Sequence, residues 1–487
     1  MAHPLRVHRL DAWVDPADAF ATLFGGDGVD AVWLDSGPDA VTGRSFIGTG
    51  QLTATASVQD GTVTIGGETR PGGILDALRD DLAERAHTDA TGYPLGGETR
   101  SGGILHALRD DLRERPHPDT NGYPLGWWGR LGYEAGATVA GAPVAAPNAA
   151  NRTPDAALLL VDRLIAFDHS TRTVDIVALD APDARAWIRT TASRLLTATG
   201  AAEAHEASRP IPTIPAAWRH DAPAYLALIA ACQDAIRAGD AYQLCLTNRA
   251  QARTDADPLA VHLRLRRASP APYAGFLRIG GDVLVSSSPE EFLRIDGRRI
   301  RTRPIKGTRP RGATVAADVE LRAELEASEK ERAENVMIVD LMRNDLGRVC
   351  VTGSVEVSHL LAVESYAQVH QLVSTVEGTL RPGLGAVDAV AACFPAGSMT
   401  GAPKLSAMRI LNGLEGGPRG AFAGCFGYLG VDGSADLAMV IRSIHFSDGV
   451  ATIGAGGGIT ALSVPEEELE EVRVKAAAVL AAAGITP

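Results

Sequence analysis

Hydrophobic and polar positions alternate along this chain in a way that predicts both strands and helices. Residues 31–65 form short β-branched stretches broken by Gly or Asp, which predict a meander of strands. Residues 269–308 predict further strands with tight turns, and helical patterns follow at 319–346, at 385–392 and from Pro465. Because the strands are grouped between helices without regular βαβ alternation, the pattern predicts an α+β fold.

A tandem duplication interrupts the N-terminal half. Residues 67–96 are repeated at once as residues 97–126, with 23 of 30 positions identical. Each copy predicts one amphipathic helix, with apolar positions at Ile74, Leu75, Leu78 and Leu82 in the first and at Ile104, Leu105, Leu108 and Leu112 in the second. Two copies are too few for a solenoid, so we expect one copy to be a surface excursion.

Residues 199–217 are rich in Ala, Glu and Pro, which is typical of a linker. We therefore predict an N-terminal domain at 1–198, which contains the duplication, and a catalytic domain at 218–487.

Composition excludes several classes of partner. The net charge is −13 and no Lys/Arg block dominates, which argues against nucleic acid or an anionic membrane. No apolar run is long enough to span a bilayer and the start lacks an export pattern, so we expect a cytoplasmic protein. The five cysteines are scattered without CxxC spacing, which favours free thiols over disulfides or zinc.

Carboxylates share helical faces in two separate stretches. Glu331 and Glu334 lie one turn apart, and Glu468, Glu471 and Lys475 follow i, i+3, i+7 spacing. Solvated acidic faces would explain both patterns. If the two helices face each other, however, the converging carboxylates need a cation, and oxygen ligands without His or Cys favour Mg²⁺.

Glycine-rich loops and isolated polar groups are further candidates for a site. Residues 397–401 and 454–458 allow backbone N–H groups to approach an anion, although neither loop fits a Walker or Rossmann pattern and both could be simple turns. His370, Arg442 and Glu290 lie in apolar surroundings, so each needs a partner, which a structural ion pair or a ligand could provide. Lys306 ends a β-prone stretch in IRTRPIKGTRPRG; alone it would be read as a solvated lysine.

These stretches together resemble the chorismate-utilising enzymes. Residues 222–478 contain, in order, SPEEFL, PIKGT, KERAENVMIVDLMRNDLGRV, VHQLVSTVEG, FPAGSMTGAPK, GCFGYLG, IRS, GAGGGIT and PEEELEEVRVKA. The N-terminal half is similar more loosely, through AVWLDSG and GWWGRLGYE, and the duplication departs from the family pattern. The resemblance implies a large composite fold of packed antiparallel sheets flanked by helices, with chorismate as substrate.

The resemblance also implies roles for single residues. Glu334 and Glu471 match the direct Mg²⁺ ligands, with Glu331 and Glu468 in supporting positions. His370 matches a histidine near the reacting ring and Glu290 a general acid or base near the C4 hydroxyl. The positions that match substrate-binding residues are Arg442, Tyr428, Ser398, Gly456, Gly458 and Lys475.

Two positions distinguish between members of the family. Members that add water at C2 carry a lysine where this chain has Gln243, and a neutral amide cannot serve as that base. Members that form anthranilate carry alanine where this chain has Lys306. The resemblance then implies that Lys306 attacks C2 and expels the C4 hydroxyl, after which ammonia attacks C4 and expels the lysine. We expect partial burial and Mg²⁺ to favour the neutral amine that this requires.

The ammonia source and the alternatives complete the hypothesis. No cysteine lies in a G-x-C-x-G elbow, so this chain shows no glutaminase pattern. The resemblance implies that ammonia comes from a separate glutamine amidotransferase subunit. It also implies that the product is 4-amino-4-deoxychorismate, on the route to p-aminobenzoate and folate. Component I of anthranilate synthase is the alternative enzyme. A non-catalytic amino-acid-sensing protein is the alternative of another class, because Leu34, Asp35 and Ser36 lie where relatives hold tryptophan.

Overall fold

A computed structural model describes residues 5–26, 28–85, 120–145, 153–366 and 368–487. Within these ranges the strands, in chain order, are β1 (Leu5–Leu10), β2 (Ala31–Asp35), β3 (Arg44–Thr49), β4 (Leu52–Ser57), β5 (Thr62–Ile65), β6 (Glu68–Pro71), β7 (Gly126–Leu131), β8 (Ala156–Val161), β9 (Arg163–Asp168), β10 (Thr173–Leu179), β11 (Ile214–Pro215), β12 (Ala217–Trp218), β13 (Gln243–Arg253), β14 (Tyr273–Ile279), β15 (Asp282–Ser288), β16 (Glu291–Asp296), β17 (Arg299–Arg303), β18 (Ile305–Pro310), β19 (Glu356–Ser365), β20 (Val369–Thr379), β21 (Gly401–Ala402), β22 (Cys425–Gly430), β23 (Ala435–Met439), β24 (Ser443–Ser447), β25 (Val450–Ile459) and β26 (Ile485–Thr486).

The helices of the described residues are α1 (Pro16–Phe24), α2 (Ile74–Arg85), α3 (Tyr133–Val139), α4 (Ala184–Leu195), α5 (Ala201–Ala207), α6 (Ala222–Arg237), α7 (Pro258–Ala268), α8 (Val315–Ala327), α9 (Glu329–Gly347), α10 (Ala386–Cys393), α11 (Lys404–Leu414) and α12 (Pro465–Ala482). None of these helices is long and apolar enough to cross a membrane.

Local sequence explains where several helices begin. Asp15, Asp221 and Asp257 each accept a hydrogen bond from a backbone N–H in the first turn, and each is followed within two positions by a proline. An aspartate in this position satisfies a donor that the helix itself leaves free, and proline fits the first turn because its missing N–H is not needed there.

Two large antiparallel sheets confirm the predicted α+β class. The first has the strand order β1-β10-β9-β3-β2-β14-β15-β24-β25-β13-β12, with β21 beside β13. The second has the order β18-β20-β17-β16-β23-β22-β7-β8-β4-β5-β6, with β19 beside β20. A small parallel pair, β11 with β26, is separate from both sheets.

Both sheets contain strands from the two predicted domains. In the first sheet, β2 pairs with β14, and in the second β7 pairs with β22. The predicted linker at 199–217 contains the helix α5 and the short strands β11 and β12. The hydrogen-bonded sheets therefore cross the predicted domain boundary. The division into domains at 1–198 and 218–487 stays a prediction.

The hydrophobic core has layers that follow from the two sheets. One cluster packs helices against the first sheet and includes Phe20, Trp33 and Tyr225. A further cluster contains Trp128 of the second sheet and Leu277 of the first, so it lies between the sheets. The burial of these large apolar side chains is the main favourable term that holds the layers together.

The first copy of the duplication is part of the core. In α2, Ile74, Leu75 and Leu78 are buried in a cluster with residues of the second sheet and of α9 and α10. The Trp127 indole N–H also donates to the Asp81 carboxylate of this helix. The helix predicted for the second copy, at Ile104 to Leu112, lies outside the described residues, and its surface position stays a prediction.

We predict that Leu78→Ala lowers the free energy of unfolding by about 2 to 5 kcal/mol, because it removes a fully buried side chain and leaves a cavity. Leu108→Ala, at the same position of the second copy, should have a smaller effect if that copy is surplus to the core. Urea unfolding of both variants measures the difference. Equal losses would contradict the assignment of the first copy as the packed one.

Candidate active site

Lys306 lies on β18, and it is followed by Gly307, whose backbone has a positive φ. Gly307 has φ +80°, and a Cβ at this position would lie 2.7 Å from Leu325 and 3.1 Å from Glu331. Only glycine therefore fits both the backbone and the space. The Lys306 side chain is 14% exposed, and its Nζ lies 3.8 Å from Glu334 Oε2.

The two acidic helices converge at one end of β25. Lys330 Nζ of α9 lies 3.1 Å from Glu468 Oε1 of α12, which also accepts a hydrogen bond from Ser463 Oγ at 2.8 Å. A Cβ at Gly457 would lie 3.0 Å from Glu468 Oε2, and one at Gly458 would lie 3.4 Å from Glu334 Oε2. The bare backbone of β25 thus leaves room for carboxylates from both helices.

Neighbouring carboxylates dominate the electrostatics of Lys306. Burial alone would lower the pKa of this amine, but the attraction of Glu334, with further contributions from Glu290 and Glu471, raises it above its ordinary value. Burial therefore acts in the expected direction, toward the neutral amine, but the neighbouring carboxylates outweigh it, and the expected contribution of Mg²⁺ stays a prediction. We call Lys306, Glu290, Glu334, Glu471 and Lys475 the Lys306 cluster.

Carboxylates in and beside the cluster lie close to basic side chains. Glu471 Oε1 lies 2.5 Å from Lys475 Nζ, and Glu331 Oε1 lies 3.9 Å from Arg309 Nη1. The described residues contain no group of three or more His, Cys, Asp or Glu side chains arranged to hold a metal ion. The donor chemistry suits a hard cation, because Glu334 and Glu468 are buried carboxylates with oxygen donors. Burial raises the pKa of Glu334, and a nearby cation would favour its ionised form.

Glu290 is a buried carboxyl group suited to proton transfer. Ser398, in the 3₁₀ turn Gly397–Met399, donates a hydrogen bond from Oγ to Glu290 Oε1 at 2.8 Å. Burial raises the pKa of Glu290 to about 7, and the Ser398 hydrogen bond, Lys306 and Lys475 limit that rise. At neutral pH a large fraction of this group is therefore protonated.

Gln243 and the glycines of β25 complete one wall of the site. Lys475 Nζ donates to the carbonyl oxygen of Gly456 at 2.9 Å. A Cβ at Gly458 would lie 2.1 Å from Gln243 Nε2, so the amide packs directly on the glycine backbone. The buried Gln243 Oε1 has no hydrogen-bond partner among the described residues, which is unusual for a buried amide and leaves an acceptor for a ligand.

Arg442 connects β23 to β24 with a left-handed backbone at φ +51°. Such a conformation costs a non-glycine residue about 1 to 3 kcal/mol and is concentrated at functional sites. Burial lowers the pKa of the guanidinium although Glu471 opposes the shift, and no hydrogen bond or ion pair joins its side chain to another described residue. This arrangement leaves a cation free to bind an anion.

Two predicted site residues, His370 and Tyr428, contact side chains other than those of the Lys306 cluster. His370 is buried, and its ring nitrogens contact Asp318 Oδ1 at 3.0 Å and Ser365 Oγ at 2.8 Å, so both are already occupied. Tyr428 packs at 6.2 Å from Trp128, in the cluster between the sheets that also contains Leu34. His370 lies on β20, which pairs with the strand of Lys306, and its position is opposite Arg309. The roles assigned to His370 and Tyr428 stay predictions.

The possible tryptophan site contains a buried ion pair. Asp35 accepts hydrogen bonds from Arg266 Nε at 2.7 Å and from Ser45 Oγ at 2.9 Å. Ser36 Oγ donates to the carbonyl of Arg44 at 2.8 Å, and Leu34 packs between the sheets. These contacts define a rigid corner of β2 and β3, while tryptophan binding there stays a prediction.

Sequence reasoning missed the ion pair of Arg419 with Glu415, which supports the site. Glu415 accepts from both the N–H and the hydroxyl of Thr247, at 2.9 and 2.8 Å. Arg419 donates to the carbonyls of Met399 at 2.6 Å and Cys245 at 2.8 Å. It thereby ties the turn that carries Ser398 to β13. Both residues lie in a Gly-rich stretch without periodicity, so the sequence contains no signal for this role.

Comparison with known proteins agrees with this geometry. The family model described as chorismate binding enzyme matches residues 81–481. The chain therefore belongs to the chorismate-binding enzymes, as the sequence motifs predicted. Anthranilate synthase component I from Streptococcus pneumoniae has a similar solved structure, with a TM-score of 0.71 and 25% identity, covering 98% of this chain and 99% of that one.

Two relatives are named aminodeoxychorismate synthase. The protein from Streptomyces griseus is 48% identical over 362 residues, which cover 73% of this chain and 49% of that protein. The protein from Streptomyces pristinaespiralis is 41% identical over 507 aligned positions, which cover 98% of this chain and 65% of that protein. This chain thus spans about half to two thirds of the length of these relatives.

Proposed function

We propose that the protein acts as an aminodeoxychorismate synthase, converting chorismate and ammonia to 4-amino-4-deoxychorismate in the cytoplasm. The observation that carries this proposal is the position of Lys306, a buried amine beside Glu334 and within electrostatic range of Glu290. Aminodeoxychorismate synthases at 48% and 41% identity support the same activity. In this proposal Glu290 is the acid and Lys306 the nucleophile that act on a small anionic substrate.

Chorismate carries two carboxylates and a hydroxyl. The Arg442 guanidinium and the Gln243 Oε1 acceptor are groups that would bind such a substrate. Arg442 forms no ion pair with an acid of the described residues, although Glu471 lies within electrostatic range, so its guanidinium is available to a substrate carboxylate. Gln243 Oε1 can accept a hydrogen bond from a hydroxyl. Together these groups would orient the ring over Lys306.

Lys306 and Glu290 would then perform the substitution. The neutral amine attacks C2, the ring double bonds shift, and the C4 hydroxyl leaves as water after Glu290 donates a proton to it. Ammonia next attacks C4 and the double bonds shift back, so the bond between C2 and the nitrogen breaks and Lys306 leaves as the neutral amine. The Glu290 carboxylate then takes up the proton that the new C4 ammonium releases. Two allylic displacements therefore place nitrogen at C4, and the raised pKa of Glu290 supports its role as the acid.

We further propose that Glu334 and Glu471 hold Mg²⁺, with Glu331 and Glu468 in support. The ion would bind the ring carboxylate of chorismate and neutralise the acids that now raise the pKa of Lys306. Neutralising these acids favours the unprotonated amine. The chain itself supplies the oxygen donors, the burial and the lysines that balance them.

The ammonia is proposed to come from a separate glutamine amidotransferase subunit, and the product to feed p-aminobenzoate and folate synthesis. Anthranilate synthesis is the second candidate, favoured by the similarity to anthranilate synthase component I. The position of the amino group on the product separates the two reactions.

The covalent role of Lys306 is tested with a pair of variants. Lys306→Ala and Lys306→Arg should both lose at least about 100-fold in formation of 4-amino-4-deoxychorismate, because neither supplies a neutral amine. The arginine variant retains the charge beside Glu334, so it separates nucleophilic from electrostatic roles. Chromatography and mass spectrometry of reactions with chorismate, Mg²⁺ and ammonium give the result. Near-normal product from Lys306→Arg refutes the covalent role.

The metal proposal predicts a loss of Mg²⁺ affinity that can be measured without turnover. Glu471→Gln should weaken Mg²⁺ binding about tenfold or more, because it removes a charged ligand. Glu470→Gln is the matched control, since the Glu470 side chain is 62% exposed and pairs with Arg473. Isothermal titration calorimetry compares the two. An equal effect in both variants argues against the predicted ligand set.

The acid role of Glu290 predicts a pH dependence. Because Glu290 must be protonated, kcat should fall as the pH rises through its pKa of about 7. The Ser398 hydrogen bond lowers that pKa, so Ser398→Ala should move the fall upward by about half to one pH unit. Ser406→Ala, which removes a hydroxyl bonded to the Asp240 carbonyl, serves as the control. A downward shift in Ser398→Ala overturns the assignment.

A further inference from the structure

A second cavity lies between the two sheets, away from the Lys306 cluster. Its volume is about 430 Å³, and its walls come from β4 and β5 of the second sheet and from β13, β24 and β25 of the first. No residue of the Lys306 cluster lines it. A volume of this size is within the range of pockets that hold small molecules.

The cavity and the catalytic site share one face of the ladder between β13 and β25. Gln243, Arg249 and Gln251 project to the same face, because side chains alternate along a strand. Arg249 is opposite Gly454 and Gln251 is opposite Thr452. Six residues separate Gln243 from Arg249, or about 20 Å along the strand. The Arg419–Glu415 pair binds Cys245 and Thr247 between the two ends.

Arg249 provides a positive pole that lacks an acidic partner. Its guanidinium donates to the carbonyl of Pro418 at 3.4 Å and to Gln251 Oε1 at 3.2 Å, both of which are neutral. No carboxylate of the described residues forms an ion pair with it. Burial lowers its pKa to about 10, so it remains a cation at neutral pH. A half-buried cation of this kind favours an anionic group from a ligand.

Glu134 and Asp155 provide a negative pole on another wall. Glu134 accepts from the N–H groups of Arg419 at 2.7 Å and Gly420 at 2.9 Å, and Asp155 accepts from the N–H of Val58 at 2.7 Å. Within the described part of the chain neither acid forms an ion pair with a lysine or arginine. Both poles line the same cavity, and no ion pair of the described residues joins Arg249 to either acid, although the charge of Glu134 opposes the lowering of the Arg249 pKa. Burial raises the pKa of Asp155 and raises that of Glu134 to about 7, so a cation from a ligand would stabilise the ionised acids.

We propose that this cavity binds a free α-amino acid, with its carboxylate at Arg249 and its ammonium at Asp155 and Glu134. A zwitterion is the small ligand that satisfies both poles at once without changing the net charge of the buried site. Leu284, Phe422 and Val440 also line the cavity and offer an apolar surface to the side chain. The proposal is independent of the catalytic function and of the Leu34–Ser36 site.

The experiment is a calorimetric titration of the full chain with each of the twenty L-amino acids. At least one should bind saturably, and its α-amide and N-acetyl derivatives should bind at least tenfold more weakly, because each lacks one charge. Asp155→Asn and Arg249→Met should each weaken the same amino acid at least tenfold. Asp155→Asn retains a side-chain oxygen that can accept from the Val58 N–H, so we expect this variant to fold. Its affinity for the amino acid tests the proposal even if Arg249→Met fails to fold.

Two control variants distinguish this cavity from the other sites. Ser36→Ala and Lys306→Ala should retain the wild-type affinity for the amino acid. The proposal is overturned if none of the twenty binds below about 10 mM. It is also overturned if Ser36→Ala or Lys306→Ala abolishes binding while Asp155→Asn retains it, or if the amide and N-acetyl derivatives bind as well as the amino acid.

Discussion

The balance of buried charge around Lys306 is the constraint on which the catalytic end of the molecule depends. An isolated charge in the interior is strongly unfavourable, and three acids in this region each lie beside a lysine. Lys306 faces Glu334, Lys330 faces Glu468, and Lys475 faces Glu471. These pairs join β18, α9 and α12, and the same charges would be redistributed when an anionic substrate and a divalent cation bind.

The glycine content of β25 makes this arrangement sterically possible. Side chains at Gly457 and Gly458 would occupy the space that Glu468 and Gln243 now fill. The strand still pairs along its whole length with β13, so the ladder hydrogen bonds hold a bare backbone in place. Rigidity therefore comes from the sheet, while the open surface admits polar groups and ligands.

The same ladder also connects the catalytic site with the second cavity. Arg419 and Glu415 lie between the catalytic site and the cavity. Arg419 donates hydrogen bonds to β13, to the turn that carries Ser398 and to Glu134. Both carboxylate oxygens of Glu415 and most N–H donors of Arg419 are engaged in hydrogen bonds. This ion pair therefore separates the catalytic site from the second cavity. A ligand in the cavity would contact elements that also shape the catalytic site.

The sequence by itself determined the α+β class, the family and the shared helical faces of the acids, because these depend on local periodicity and on short motifs. Only the tertiary structure decided which of these groups meet. Ser398 contacts Glu290 across 108 positions and Lys330 contacts Glu468 across 138, and no local pattern encodes such distances. The occupied nitrogens of His370, the place of Tyr428 between the sheets and the raised pKa of Lys306 likewise depend on distant neighbours. Burial and pairing are properties of the folded surroundings, and for that reason residue types alone could not predict them.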